Sequence, residues 1–273
     1  MSDLKEKIKE GKNFIREKSS IKPEVAIILG TGLGALVKEI KHPQVIPYQD
    51  IPFFPTPTGP GHKGELFLGK ISNKDIVAMA GRFHYYEGYS LFDITFPVRV
   101  MKALGAKILI VSNASGGLNK NFLSGDLMIV SDQINLMGVN PLIGSNDDSL
   151  GPRFPDMFEA YDKKLISLTE KIALDLKIPL RKGIYIAVTG PNLETPAEYN
   201  FFSKIGDAVG MSTVPEVIVA VHCGLRVLGI SVITDKCSPD ALKPANIEEI
   251  IEIANNAEPK LSRLVKEVIK SLD

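Results

Sequence analysis

The sequence predicts an α/β fold: a single domain over residues 1–273 in which a mixed central β-sheet is flanked by helices. Short runs of apolar and β-branched residues recur along the chain, and amphipathic helical patterns lie between several of them. Runs such as 108–111 (ILIV) are apolar throughout, which is typical of strands covered on both faces of a sheet. A length of 273 residues also allows a sizeable buried core.

The individual elements follow from these patterns and from their periodicity. We predict strands at 25–29, 65–71, 75–80, 107–112, 126–131, 183–189 and 227–234. Helical patterns occupy 4–18, 93–104, 162–177, 196–206, 215–224 and 246–272. The stretches 51–64 and 138–156 are rich in proline and glycine, and they are predicted to be long loops of the kind that often carry function.

Composition excludes several classes of protein. The 32 basic side chains balance the 32 acidic ones, so we expect no binding to nucleic acid or to anionic membranes. No apolar run approaches the roughly 20 residues that span a bilayer, and the N-terminus is charged, so a cytoplasmic location is expected. Cys223 and Cys237 are too few for a disulfide framework and are interpreted as buried small side chains. The four histidines show no paired metal-ligand spacing, and we expect no metal site.

A glycine turn follows the first predicted strand, in the stretch 25-VAIILGTGLGALVKEI-40, and a helix-like segment follows the turn. A strand, a glycine turn and a helix together present backbone N–H groups to a phosphate. Gly30, Gly32 and Ala35 satisfy the dinucleotide fingerprint, and Asp50 lies near the spacing of a ribose-binding carboxylate. Asp50 is, however, in a proline-broken loop, which disfavours the alternative of a nicotinamide-dependent oxidoreductase.

Polar residues also follow other predicted strands. Because such strand ends meet outside one edge of an open sheet, a crevice there is the expected ligand site. The residues expected to converge on it are Thr31, Asn113, Ser115, Glu194 and Asp235.

Two further clusters suggest an anion site. Arg82, His84 and Tyr86 come directly after the strand at 75–80, where a guanidinium would offer donors that match a phosphate. Ser212 and Thr213 precede a predicted helix, so we expect them to cap it and to expose hydroxyls at its N-terminus.

Six motifs follow one another along the chain: GTGLG, GRFHYYEGYS, NASGGLN, GPRFPDM, GPNLETPAE and VGMSTVPEVIVA. Together they resemble those of the trimeric purine nucleoside phosphorylases, a family that includes the methylthioadenosine phosphorylases, and the resemblance runs from about residue 10 to the end. It implies phosphorolysis of purine ribonucleosides or deoxyribonucleosides, with inorganic phosphate as co-substrate and without a cofactor. The products would be a free base and a pentose 1-phosphate, and the enzyme would be a homotrimer.

The resemblance also implies residue roles. Phosphate would be bound by Thr31, His62, Arg82, His84, the backbone N–H of Ala114, and Ser212. The nucleoside would be bound by Tyr86, Asn113, Phe154, Leu193, Glu194, Met211, Asp235 and Ile247. The catalytic residues would be His84, Glu194 and Asp235. Tyr86 and Met211 would contact the pentose, and Phe154 would reach the sugar pocket of the neighbouring subunit.

Departures from the family pattern concern substrate choice. Glu194 keeps the carboxylate that accepts the N1–H of a 6-oxopurine, but Asp235 stands where the family has an asparagine directed at N7 and O6. Leu193 replaces an aromatic residue, and Ile247 replaces the histidine that binds the 5′-hydroxyl. Inosine and guanosine are the expected substrates. Adenosine or methylthioadenosine is the alternative that Asp235 and Ile247 favour, and a non-catalytic nucleoside-binding protein is a further one.

Overall fold

The α/β architecture predicted from the sequence is confirmed. The computed structural model describes residues 2–30, 34–56, 58, 63–239, 242 and 244–272. Its helices are α1 (Ser2–Lys18), α2 (Leu91–Leu104), α3 (Lys163–Asp175), α4 (Pro196–Phe202), α5 (Val214–His222) and α6 (Ile247–Lys270). Its strands are β1 (Val25–Leu29), β2 (Lys41–Pro47), β3 (Glu65–Ile71), β4 (Lys74–Ala80), β5 (Ile108–Gly117), β6 (Leu127–Asn135), β7 (Leu180–Ala187), β8 (Ala208–Gly210) and β9 (Arg226–Lys236).

Within the described residues these strands form one mixed sheet in the order β2-β3-β4-β1-β5-β8-β7-β6-β9. Because β9 also pairs with β5, the strands β5, β8, β7, β6 and β9 close on one another. Strand β1 runs parallel to β4 and β5, and β5 runs parallel to β9. The carboxyl ends of these four parallel strands therefore meet at one edge, which is the usual ligand site of such sheets.

The strands are apolar because both faces are covered. All residues of β1 are buried, and β5 is buried over Ile108–Asn113. Helix α2 begins at the N-cap Ser90, whose side chain accepts from the Asp93 backbone N–H, and α6 begins at the N-cap Asn246. No helix in the part of the chain that the structure describes is long and apolar enough to cross a membrane.

The structure corrects several details. The sequence analysis missed β2 and β8: β2 is mostly exposed and polar, and β8 has three residues, so neither gives an apolar run. Strand β5 does not end at the polar residues after Val111 but continues to Gly117, because they pair with β9 and β8.

The segment after the first glycine turn is also not an α-helix. Residues Gly34–Glu39 form a 3₁₀ helix, and Asp50 ends a second short 3₁₀ helix, Tyr48–Asp50. The next strand, β2, pairs antiparallel with β3. A dinucleotide fingerprint requires a strand, an α-helix and a parallel strand, so the nicotinamide alternative loses its structural basis.

Candidate active site

A cavity of about 230 Å³ lies at the edge where the parallel strands end. The structure brings most of the predicted site residues to its wall. These are Arg82, His84, Tyr86, Asn113, Ala114, Leu193, Glu194, Met211, Ser212, Asp235 and Ile247, together with Ser115. Thr31 and His62, which the resemblance assigns to phosphate, lie outside the described residues.

Close packing of β1 on β5 forms the floor of this cavity. Gly30 follows β1 and also lines the cavity. A Cβ on Gly30 would lie 2.7 Å from the Ser112 carbonyl oxygen, closer than real Cβ atoms approach backbone. Glycine at this position therefore allows the end of β1 to lie directly against β5.

Arg82 is the buried cation of the site, with its side chain 2% exposed. Its Nε lies 3.3 Å from Glu216 Oε1, and its Nη1 donates to Ser212 Oγ at 2.9 Å and to Thr213 Oγ1 at 3.2 Å. A buried guanidinium needs such partners because desolvating an unpaired charge costs several kcal/mol. The ion pair with Glu216 on α5 fixes the guanidinium beside the two hydroxyls.

The hydroxyls before α5 do not act as predicted. Thr213 is the N-cap, but its side chain makes no cap hydrogen bond, and it is fully buried rather than exposed. Its φ of 72° lies in the left-handed region, which is costly for a β-branched residue. Thr213 Oγ1 accepts from Asn113 Nδ2 at 2.8 Å as well as from Arg82. This strained backbone thus directs Ser212 and Thr213 to Arg82 instead of to the helix terminus.

Asn113 reaches the cavity wall, but protein groups occupy both ends of its amide. Its Nδ2 donates to Thr213, and its Oδ1 accepts from Ser231 Oγ at 2.7 Å. Its clearest structural role is therefore to hold Thr213, while direct contact with the nucleoside stays a prediction.

His84 is held from two sides. Its ring Nδ1 lies 3.0 Å from Glu87 Oε1, and its ring stacks on Tyr86 with centroids 4.7 Å apart. The other oxygen, Glu87 Oε2, accepts from the backbone N–H and the hydroxyl of Thr58, each at 2.6 Å. Burial opposes ionisation of Glu87, but the hydrogen bonds from His84 and Thr58 outweigh it and lower the pKa of this carboxyl to about 2. An ionised Glu87 therefore links His84 to the loop 51–64.

Two carboxylates mark the other end of the cavity. Glu194 and Asp235 line it, and both also border a second cavity of about 760 Å³ next to the start of α6. Glu194 immediately precedes Thr195, which caps α4 through a capping box with Glu198. Asp235 lies near the end of β9, where Thr234 Oγ1 donates to its Oδ1 at 2.8 Å.

The remaining wall is apolar. One face of the first turn of α6 lines the cavity with Ile247, Ile250 and Ile251, and Leu193 and Met211 line it as well. The sequence analysis named Ile247 but missed Ile250 and Ile251, although their helical spacing from Ile247 would have revealed them. It also missed Tyr199 and Cys237, which line the cavity beside the two carboxylates.

Phe154 does not belong to this cavity. It lies in the long loop before α3, is 86% exposed, and borders a separate apolar depression with Ile143, Pro155 and Met157. Arg153 lies over its ring and donates to the carbonyl oxygens of Leu142 and Gly144. The loop is thus internally braced, and it projects a large aromatic side chain into solvent.

Chemically, the site joins a set of cationic and hydroxyl donors to a pair of carboxylates across a partly apolar cavity. The donors suit a tetrahedral anion. The carboxylates suit a ring that carries N–H groups, and the apolar walls suit the ring faces and a sugar.

The chain is similar to known proteins over nearly its whole length. The model of the phosphorylase superfamily matches residues 24–270. Purine nucleoside phosphorylase 1 of Bacillus subtilis is 52% identical over 97% of this chain and 98% of its own length, and the mouse purine nucleoside phosphorylase is 45% identical over 95% and 92%. The crystal structure of isoform 2 of the Schistosoma mansoni enzyme, in complex with cytosine and ribose-1-phosphate, superposes with a TM-score of 0.94 at 42% identity, covering 98% of this chain and 97% of that one. The chain therefore belongs to the phosphorylase superfamily, as an enzyme of the purine nucleoside phosphorylase group.

Proposed function

We propose that the enzyme uses inorganic phosphate to cleave the N-glycosidic bond of purine nucleosides. The observation that carries the proposal is the single cavity in which Arg82, His84 and Ser212 lie at one end and Glu194 and Asp235 at the other. A nucleoside placed between them would present its anomeric carbon to a bound phosphate and its base to the carboxylates. A Schistosoma mansoni relative was solved in complex with cytosine and ribose-1-phosphate, which supports a site that accepts a base and a phosphorylated pentose.

The reaction needs no covalent intermediate with the enzyme. A phosphate oxygen attacks the anomeric carbon, the C–N bond breaks, and its electron pair leaves with the base, which then takes up a proton. The sugar becomes cation-like as the bond breaks, so a phosphate anion held beneath it stabilises the transition state. Arg82, His84, Ser212 and the backbone N–H of Ala114 orient that anion, with Thr31 and His62 as further ligands. Ser212 is thus a ligand and not a nucleophile, and no cofactor takes part.

Base recognition rests on Glu194 first. Its carboxylate accepts the N1–H that hypoxanthine and guanine carry, which makes inosine and guanosine the first candidate substrates. Asp235 favours a second group, adenosine and methylthioadenosine, because a carboxylate accepts from a 6-amino group. The exposed Ile247 at the cavity wall adds an apolar surface where a 5′-methylthio group would pack.

The active enzyme is a homotrimer in this proposal, and it resides in the cytoplasm. The exposure of Phe154, Phe158 and Ile143 around the loop before α3 supports an interface there, because a monomer rarely exposes several large apolar side chains together. Phe154 would complete the sugar pocket of the next subunit. The free thiols of Cys223 and Cys237 suit a reducing compartment.

The decisive experiment measures base release from inosine, guanosine, adenosine and methylthioadenosine, each with and without phosphate. We expect release only with phosphate, together with equimolar pentose 1-phosphate. Release without phosphate would identify a hydrolase and refute the proposal. Binding of nucleoside without turnover in phosphate would identify a binding protein.

A further inference from the structure

Each oxygen of the Asp235 carboxylate accepts a hydrogen bond from a nearby side chain, one on the same strand and one just after it. Thr234 Oγ1 donates to Oδ1 at 2.8 Å, and the thiol of Cys237 donates to Oδ2 at 2.9 Å. Donors at both oxygens fix the orientation of the carboxylate, and its remaining lone pairs are acceptors for a ligand in the cavity that Asp235 lines.

Glu194 also has a side-chain donor beside it, the hydroxyl of Tyr199. Tyr199 lines the cavity together with Glu194 and Cys237, and its hydroxyl interacts with the Glu194 carboxylate. Burial, together with the nearby carboxylates, raises the pKa of the Tyr199 hydroxyl and of the Cys237 thiol above their ordinary values. Both groups therefore keep their protons at neutral pH, and each has one proton to donate: Tyr199 to Glu194, and Cys237 to Asp235.

The surroundings restrict the side chains of Tyr199 and Cys237. Tyr199 and Cys237 are both buried, in a small apolar cluster separate from the main core, with Leu118 and Phe202. Gly116 on β5 leaves room for the thiol, since a Cβ at that position would lie 2.5 Å from Cys237 Sγ. The thiol therefore occupies a site that the backbone of β5 shapes, and it has little freedom to turn away from Asp235.

We propose that Tyr199 and Cys237 are positioning residues that hold Glu194 and Asp235 simultaneously as hydrogen-bond acceptors, so that the site favours a purine with donors on both edges. The inference rests on the proposed function and on its placement of the base. Inosine offers a donor to Glu194 through N1–H, and adenosine offers one to Asp235 through its 6-amino group. A 2,6-diaminopurine nucleoside offers its 2-amino group to Glu194 and its 6-amino group to Asp235.

The first test compares kcat/KM for 2,6-diaminopurine riboside, inosine and adenosine in the wild-type enzyme at saturating phosphate. One additional hydrogen bond to a charged acceptor corresponds to about a tenfold preference. We expect 2,6-diaminopurine riboside to exceed adenosine by roughly that factor and to exceed inosine as well. Calorimetric binding of the free bases 2,6-diaminopurine, adenine and hypoxanthine gives the same comparison without turnover.

Variants then assign the effect to the two side chains. Cys237→Val removes the donor at similar volume, and we expect it to lower the ratio of kcat/KM for adenosine over inosine about fivefold, because Asp235 then loses the donor at Oδ2 and turns more easily. Cys237→Ser restores a donor and should keep the ratio within about twofold of wild type. Tyr199→Phe should shift the ratio in the opposite direction, since it releases Glu194. Cys223→Val, which alters a thiol outside the cavity, is the matched control.

The phosphate KM should stay unchanged in all of these variants. An equal loss with every nucleoside, or a Cys237→Ser variant no better than Cys237→Val, would show a merely structural role and overturn the proposal. If a variant fails to fold, the wild-type comparison still decides, because absence of any preference for the diamino base contradicts two simultaneous acceptors. A wild-type enzyme without phosphate-dependent activity would instead refute the proposed function.

Discussion

Arg82 and Ser212, 130 residues apart in the chain, are joined by a 2.9 Å hydrogen bond from the guanidinium Nη1 to the hydroxyl Oγ. The bond links the end of β4 to the start of α5, and both groups line the cavity. Because Nε also pairs with Glu216 at 3.3 Å, the orientation of the guanidinium does not depend on Ser212 alone. The proposed anion site is thus preorganised, and preorganised donors are the ones that contribute most to electrostatic catalysis.

Arg82→Ala should therefore raise the phosphate KM and lower turnover, with a combined loss in kcat/KM for phosphate on the order of 100-fold, because a charged donor to phosphate is removed. Initial rates as a function of phosphate concentration measure the effect. Arg226→Ala, which breaks an exposed ion pair with Asp162, is the matched control. An unchanged phosphate dependence in Arg82→Ala would exclude this residue from the anion site.

Glu194→Ala should cost more with inosine than with adenosine, since only inosine donates an N1–H to the lost carboxylate. The expected difference between the two losses in kcat/KM is roughly tenfold or more. Parallel kinetics with both nucleosides at fixed phosphate give the ratio. Equal losses would contradict the assignment of Glu194 as the N1–H acceptor.

Asp235→Asn should shift the preference towards inosine, because an amide donates to N7 or O6 where a carboxylate repels them. We expect the ratio of kcat/KM for inosine over adenosine to rise about tenfold. The same assay applies, and an unaltered phosphate KM would show that the change is confined to the base. A constant ratio would remove Asp235 from the determinants of specificity.

The fold was predictable from the sequence where the apolar residues follow a clear strand or helix pattern, as in β1, β4 and α6. It was not predictable where strand pairing alone determines the structure. Residues 113–117 have no apolar pattern, and they form a strand because β9 and β8 provide hydrogen-bonding partners. Residues inside recognisable motifs, such as Arg82 and Glu194, lie at the cavity wall as expected, and their roles there stay predictions. Thr213 does occupy the N-cap position, but the expected capping by its hydroxyl was wrong, because its left-handed backbone and its hydrogen bond to Asn113 depend on contacts across 100 residues of chain.

Stability at acid pH should depend on Glu87. Its pKa of about 2 lies below the value of 4.5 expected when it is unfolded, so its ionisation stabilises the fold above pH 4.5, and this contribution disappears as the pH falls towards 2. The difference in free energy of unfolding between the wild type and Glu87→Gln should be largest above pH 4.5 and shrink steadily below it. Denaturant titrations across this pH range measure the difference, and a constant value would show that the bonds to His84 and Thr58 do not favour the ionised form.

Subunit complementation tests whether Phe154 serves a neighbouring site. Phe154→Ala and Arg82→Ala should each be poorly active alone, because every site in a homotrimer of either variant lacks one component. In mixed trimers, a Phe154→Ala subunit keeps its own Arg82 and receives Phe154 from an adjacent Arg82→Ala subunit, so some sites become complete. We therefore expect co-refolded mixtures to exceed the sum of the two separate activities several-fold, with a trimer mass by light scattering. If a mixture has only the sum of the two separate activities, Phe154 does not contribute to a neighbouring site. A monomeric mass would contradict the proposed trimer.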